Sequence, residues 1–285
     1  MTVLRLATVL ALVVPASANA SAPDPRLSWA PPQLDSPTIV NVSDSNHFLR
    51  LDPTRDYLVR MPTTKLSVLG GLVIVGGHNV VLVGGAITIP SWGLVHPTDN
   101  RGLYLKNQTG TVHVEGLLID NSGGALSEGI NVNAPKATIQ LENVRVEGVH
   151  ERDEVHFSSN HPDLIQSWAG PAELRVDRFT GTTDYQGIYL APQELGERLQ
   201  PRRIDLRRVN IETMASARYL LWQVGTAPLR LDDVWIRPSP GRYEVVWPDD
   251  GRWDPVVQGD PPGGDFVGAG EAGLGYRSPG YLPKG

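Results

Sequence analysis

A short segment of alternating apolar residues recurs along the chain and limits the folds open to it. Each copy holds two apolar-x-apolar triplets separated by two small or polar residues, as in residues 112–119. The copies begin at Val81 (a looser match), Val112, Ile139, Leu174, Ile204 and Leu229, with spacings of 31, 27, 35, 30 and 25 residues. Alternation with a period of two predicts strands, and repetition at this spacing predicts a solenoid.

A third apolar strand precedes each copy by about nine residues. These strands begin at Leu103, Ile130, Ile165, Ile188 and Leu220. Three strands per repeat are typical of one coil of a parallel β-helix, whose strands stack about 4.8 Å apart on those of the next coil. We therefore expect an all-β, single-domain β-helix of about six to seven coils over residues 57–247.

The chain ends differ in composition from the repeats. Residues 1–20 have the form of a secretory signal peptide, with Arg5 as the only charge, a short apolar run and an Ala-x-Ala site at Ala18 and Ala20. We therefore expect a secreted, extracellular protein that has no membrane contact after cleavage. Residues 21–56 are expected to form an N-terminal extension and cap, and residues 248–285 a Gly/Pro-rich C-terminal cap or tail.

The coil pattern over residues 57–238 resembles the right-handed parallel β-helix proteins of the pectate-lyase-like superfamily. The resemblance implies a right-handed coil and activity on polysaccharides, since similar proteins include uronate lyases, polysaccharide hydrolases and esterases. The Asp-Asp pair of the polygalacturonase-like family and the Arg-x-Pro-x-x-Arg pattern of typical pectate lyases are absent from the sequence. An antiparallel sandwich is the alternative fold, and it would show more two-residue hairpin turns.

The composition excludes several kinds of function. Without cysteine, the chain has no disulfide, thiolate zinc site or cysteine nucleophile. The 25 basic and 31 acidic residues give a net charge of −6, so we expect no nucleic-acid partner, which would require a basic surface. The expected partner is a polysaccharide substrate, and the expected state is a monomer.

Alignment of the third strands places polar residues in one column. Two positions before each inward apolar residue stand Arg101, Glu128, Asp163, Gln186 and Arg218. Stacking would bring Glu128 and Asp163 onto adjacent coils, where two carboxylates raise each other's pKa or share a cation. Ca²⁺ is therefore the one cofactor to consider, and no residue is assigned as a metal ligand. A solvent-exposed polar column at a coil corner is the structural alternative.

His161, Asp163 and Glu128 are the predicted catalytic residues. His161 follows a long segment, residues 147–160, that is rich in His and carboxylate side chains. Long connections in compact folds are usually functional or disordered. Stacking would place His161 beside Asp184, and the structural alternative is a hydrogen bond between them that fixes the turn.

The remaining predicted residues would contact the substrate. Polar and aromatic side chains along one face suit an elongated ligand rich in hydroxyl groups, and Trp168 would stack on a sugar ring. Packing beneath the long segment is the alternative role of Trp168. The predicted substrate-binding residues are Arg101, Gln166, Trp168, Tyr185, Gln186, Tyr189 and Arg218.

Three functions fit these residues, the first of which is an enzyme that acts on polysaccharide as a lyase or a hydrolase. A lyase would use His161 or a residue of the long segment as base, with Arg218 or Arg101 holding the substrate carboxylate. A hydrolase would use Glu128 and Asp163, whose spacing on adjacent strands is near the roughly 5 Å of retaining glycosidases. The alternatives are a non-catalytic carbohydrate-binding or cell-surface module with the same face, and a structural solenoid without a small ligand.

Overall fold

The computed structural model describes residues 25–90, 101–124, 127–151, 162–196, 200–214, 219–240 and 244–283. Over these ranges the regular structure is all strand, with no helix, and thus no helix that could span a membrane. The strands are β1 (Thr38–Asn41), β2 (Phe48–Leu51), β3 (Tyr57–Arg60), β4 (Leu66–Ser67), β5 (Leu72–Gly76), β6 (Val80–Val83), β7 (Ala86–Thr88), β8 (Arg101–Lys106), β9 (Thr111–Glu115), β10 (Leu118–Asp120), β11 (Glu128–Asn133), β12 (Thr138–Val149), β13 (Asp163–Ala169), β14 (Glu173–Thr183), β15 (Gln186–Leu190), β16 (Arg203–Thr213), β17 (Leu221–Gln223), β18 (Leu229–Arg237), β19 (Val246–Trp247) and β20 (Val257–Gln258).

The strands form two sheets in which paired strands run parallel. One sheet has twelve strands in the order β1-β3-β6-β9-β12-β14-β16-β18-β20, with β4, β7 and β10 continuing beside β12. The other has eight, in the order β2-β5-β8-β11-β13-β15-β17-β19. Along both sheets each strand pairs with its equivalent in the next repeat. This arrangement is solenoid-like and compatible with a parallel β-helix.

The register confirms the repeated segment. Its first apolar residues pair directly across the twelve-stranded sheet, in the order Val112, Ile139, Leu174, Ile204 and Leu229. The looser copy is shifted by one position, because Val80 rather than Val81 pairs with Val112. Both Val80 and Val81 are buried, so hydrophobicity alone did not show which of the two pairs with Val112.

The two-residue break within each repeated segment is a bend within or at the end of a strand. The second residue of each bend has a positive φ, and these residues are Gly116, Asn143, Arg178, Arg208 and Asp233. A left-handed residue turns the chain and resets the alternation of side chains. Leu141 and Val144 are therefore both fully buried, although they stand three positions apart. The bends let both apolar triplets of each repeat face one continuous core.

Terminal segments cover part of the twelve-stranded sheet. Leu27 forms a parallel bridge with Tyr281, and Val267 is fully buried. The hydroxyl groups of Tyr276 and Tyr281 donate hydrogen bonds to the buried carboxylate of Glu115. The described part of the C-terminal segment is thus packed against the sheet. The predicted signal peptide, residues 1–20, lies outside the described residues.

Close approach of neighbouring strands requires glycine in β11. A Cβ atom at Gly129 would lie 2.3 Å from the carbonyl oxygen of Leu164. We expect Gly129→Ala to lower the free energy of unfolding by about 1–3 kcal/mol, because the strands would have to separate. Equilibrium urea unfolding measures this change. Gly123→Ala is the matched control, since its Cβ would meet nothing within 4 Å. Equal stability of the two variants would contradict the close approach.

Candidate functional site

The register of the eight-stranded sheet corrects one position of the predicted polar column. The inward residues pair in the order Leu103, Ile130, Ile165, Ile188 and Leu221. The prediction of Leu220 as the last member was wrong by one residue. Leu220 and Leu221 are both fully buried, so hydrophobicity did not distinguish them. The residue two positions before Leu221 is Tyr219, and the predicted member Arg218 lies outside the described residues.

A histidine lies beside Asp184 in the described part of the chain. His161 lies outside the described residues. Nδ1 of His150 lies 2.9 Å from one carboxylate oxygen of Asp184, and the backbone amide of Glu151 donates to the other at 2.6 Å. The histidine that the structure places beside Asp184 is therefore His150, and the contact predicted for His161 stays a prediction.

The structure brings the four remaining members of the column together. Glu128 pairs with Arg101, and Asp163 pairs with Gln186. Glu128 and Asp163 each stand two residues before the directly paired Ile130 and Ile165, so they lie side by side on β11 and β13. Glu128 is 5% exposed and Asp163 is 0% exposed. The two carboxyl groups are thus buried, which differs from the solvent-exposed corner of the structural alternative.

Burial raises the pKa of Glu128 to about 7, because removal from water disfavours the charged form. Two neighbours oppose this shift by stabilising the carboxylate. Nε of Arg101 lies 3.5 Å from Oε2 of Glu128, and the side-chain amide of Asn131 donates a hydrogen bond to the same oxygen. Glu128 therefore titrates near neutral pH.

Asp163 has a different environment. Neither carboxyl oxygen of Asp163 hydrogen-bonds to any residue in the described part of the chain. Burial raises the pKa of Asp163 well above its ordinary value, and the negative charges of Glu128 and Glu194 raise it further. The two carboxyl groups therefore disfavour simultaneous ionisation, and Asp163 lacks the cation and the amide donor that stabilise the charged form of Glu128.

Two amide side chains lie beside the carboxyl pair, at the positions that directly follow the paired Ile130 and Ile165. The side-chain nitrogen of Asn131 donates to Glu128 and also, at 3.1 Å, to the side-chain oxygen of Gln166. Gln166 was predicted as a substrate contact, whereas Asn131 was not. The feature that could have identified Asn131 as a site residue is its pairing with Tyr104 on one side and with Gln166 on the other.

Aromatic side chains flank this polar centre on both sides. On one side, the rings of Tyr104 and Trp168 meet edge to face at 5.8 Å, and the Arg101 guanidinium lies 4.9 Å and 5.2 Å from their centroids. On the other side, the ring of Tyr189 lies 4.7 Å from that of Trp222.

This second aromatic group extends further along the sheet. The ring of Tyr219 lies 5.0 Å from that of Trp222 and 6.1 Å from that of Trp247. The sequence prediction missed all three residues. The one-residue slip at Leu220 removed Trp222 from the column of Tyr189, with which it pairs directly.

Two further predicted contacts are buried. Tyr185 is fully buried, whereas we expected it on the outer face. It stands in the turn between β14 and β15, where its backbone amide donates to the Thr183 hydroxyl at 3.0 Å. Gln186 is 4% exposed and retains its predicted place beside Asp163.

The described residues around the carboxyl pair do not fit a Ca²⁺ site well. No group of three His, Cys, Asp or Glu side chains in the described ranges is close enough to hold a metal ion. Ca²⁺ takes six to eight oxygen ligands, and the Arg101 guanidinium already faces Glu128. We therefore derive no catalytic step through Ca²⁺.

No family model, curated protein or solved structure matches this chain. The strand register and the buried carboxyl pair are therefore the grounds for a functional proposal.

The raised pKa of Glu128 predicts a pH-dependent stability. The unfolded carboxyl group titrates near 4.5 and the folded one near 7, so the folded state is penalised as pH rises through this interval. We expect the Glu128 contribution to the free energy of unfolding to fall by about 3 kcal/mol between pH 4.5 and 7.5. In urea unfolding of Glu128→Gln, the free energy of unfolding should fall by about 3 kcal/mol less than in wild type over this pH interval. The exposed control Asp249→Asn should show the full wild-type fall. A wild-type fall in Glu128→Gln would contradict the raised pKa.

Proposed function

We propose that the chain is a secreted, right-handed parallel β-helix of about six to seven coils, similar to the pectate-lyase-like proteins, and that it cleaves an extracellular polysaccharide. One observation carries the functional part of this proposal. Two buried carboxyl groups, Glu128 and Asp163, lie side by side on the eight-stranded sheet, and aromatic side chains of the same sheet lie on both sides of them.

The parallel register supports the fold proposed here. Equivalent strands of successive repeats pair in both sheets, and the positive-φ bends recur at the same place in each repeated segment. A right-handed path is the usual hand of parallel strand connections.

The environments of the two carboxyl groups support glycoside hydrolysis. Asp163 favours its proton, so it suits the general acid that protonates the leaving oxygen of the glycosidic bond. Glu128 is stabilised as a carboxylate by Arg101 and Asn131, so it suits the nucleophile. Adjacent strands lie about 4.8 Å apart, near the roughly 5–5.5 Å that separates the carboxyl groups of retaining enzymes. Substrate access to Asp163 requires movement of the residues that cover it.

Arg101 favours polysaccharide elimination as a second candidate reaction. Its guanidinium lies beside the carboxyl pair, where it would neutralise a uronate carboxylate before a base removes the neighbouring proton. His161, the predicted base, lies outside the described residues. A non-catalytic carbohydrate-binding module would use the same aromatic residues, of which Trp247 is 42% exposed.

We expect the protein to release reducing ends from a polysaccharide without forming unsaturated ends. Uronate and neutral polysaccharides are incubated with the chain, with and without Ca²⁺, while reducing ends and ultraviolet absorbance are followed. Asp163→Asn and Glu128→Gln should each lower the rate by about 10²–10⁴-fold, the usual contribution of a proton-transfer group. Asp249→Asn, an exposed acid elsewhere, is the control.

The outcomes of this assay distinguish the candidate functions. Ultraviolet absorbance that rises with reducing ends would indicate a lyase. Binding without any cleavage would indicate a carbohydrate-binding module. Wild-type turnover by both carboxyl variants would exclude this pair as the catalytic site.

Trp168 provides a separate test of substrate binding. We expect Trp168→Ala to weaken polysaccharide binding by about tenfold, with a small effect on kcat, because the ring packs with Tyr104 and Arg101 beside the carboxyl pair. The binding isotherm measures this change. Trp235→Ala is the matched control, since Trp235 lies on the twelve-stranded sheet. An unchanged isotherm for Trp168→Ala would remove Trp168 from the site.

A further inference from the structure

A cavity of about 510 Å³ lies on β2, β5 and β8, next to the carboxyl pair. Its volume is within the roughly 300–1,000 Å³ of small-ligand sites. Arg101 forms part of its wall and also faces Glu128 at 3.5 Å. The cavity is therefore contiguous with the proposed catalytic centre, although it is built from other strands.

The floor of the cavity is apolar and is bordered by aromatic rings. Val73 and Val75 project from β5 at its centre. Phe48 and Tyr104 pair with Val73 from the two neighbouring strands, so a ring stands on each side of the floor. Strand spacing puts these two positions about 10 Å apart, which is wide enough for a ring-shaped ligand between them.

Cationic side chains border the same floor. Arg50 and Lys106 pair with Val75 from opposite sides, so they face each other across one strand. The Arg50 guanidinium lies 4.8 Å from the centroid of the Phe48 ring. Arg101 completes the set beside Tyr104.

Arg50 and Lys106 have no carboxylate beside them in the described part of the cavity, whereas Arg101 already faces Glu128. Among the described residues that line it, none is an Asp or Glu. Neither Arg50 nor Lys106 forms an ion pair with any residue of the described chain, in contrast to the many Arg–carboxylate pairs of the twelve-stranded sheet. Arg and Lys in this state suit a carboxylate or sulfate group.

We propose that this cavity is a subsite that binds an anionic sugar residue through direct contacts with Arg50, Lys106 and Arg101. The sugar ring would lie over the valine floor, and its carboxylate or sulfate group would reach the cations. This inference rests on the proposed function for the nature of the ligand as a polysaccharide. It adds a requirement for negative charge, and it locates the recognition of that charge on strands that do not carry the acid pair.

Calorimetric titration tests the subsite with three oligosaccharides of equal length: one uronate, one sulfated and one neutral. Wild-type protein and Asp163→Asn are titrated in parallel, so that cleavage does not obscure binding. At low salt we expect at least one anionic ligand to bind about tenfold or more tightly than the neutral one. The preference should shrink as NaCl is raised, because salt screens the contacts.

The matched variants separate the cavity from general surface charge. The double variant Arg50→Gln, Lys106→Gln should lose most of the preference for the anionic ligand, because it removes two of the three cations without altering Arg101 or the acid pair. Arg230→Gln removes an exposed cation from the twelve-stranded sheet and should keep the preference. A melting temperature for each variant confirms that it is folded.

The outcomes distinguish the subsite from the proposed function. Preference for the uronate or for the sulfated ligand identifies the source of the negative charge, and either supports the subsite. Equal binding of all three ligands by wild-type protein, no binding of any of them, or an unchanged preference in the double variant would overturn it. Charge-selective binding without cleavage would refute the catalytic proposal alone, whereas cleavage without charge selection would refute the subsite alone.

Discussion

Direct pairing of equivalent residues on parallel strands is the constraint on which the rest of the molecule depends. It places residue types that recur every 25 to 35 positions in adjacent rows, so each row repeats the chemistry of one position in the repeated segment. The positive-φ bends make this stacking compatible with one core, because they turn two apolar triplets inward from a single strand. Glu128 and Asp163 are neighbours because Ile130 and Ile165, two residues further along β11 and β13, pair directly.

Unequal surroundings give two similar carboxyl groups different properties. Glu128 has a guanidinium and an amide donor directed at it, whereas Asp163 has no hydrogen-bonding partner within the described residues. Arg101 has a second role, because it also borders the cation-lined cavity and lies against two aromatic rings. The charge of a bound ligand and the ionisation of Glu128 would therefore be linked through one side chain.

The sequence predicted the strands and most of the register because the apolar triplets are regular. It failed where two adjacent apolar residues were equally suitable, at Val80 and Val81 and again at Leu220 and Leu221. The second slip separated Trp222 from the column of Tyr189, with which it pairs directly. Burial of Tyr185 and of the carboxyl pair could not be predicted either, since a residue's position in a repeat does not reveal what covers it.

The bridge between Leu27 and Tyr281 joins parts of the chain that are 254 positions apart, beside the middle of the twelve-stranded sheet. Two anchors attached near these residues would emerge close together, as is common for domain ends. A pulling force between such anchors would act first on this single bridge and on the tyrosine contacts with Glu115. The stacked strands would bear tension only after those contacts had opened, so this bridge would be the first part of the tethered molecule to yield.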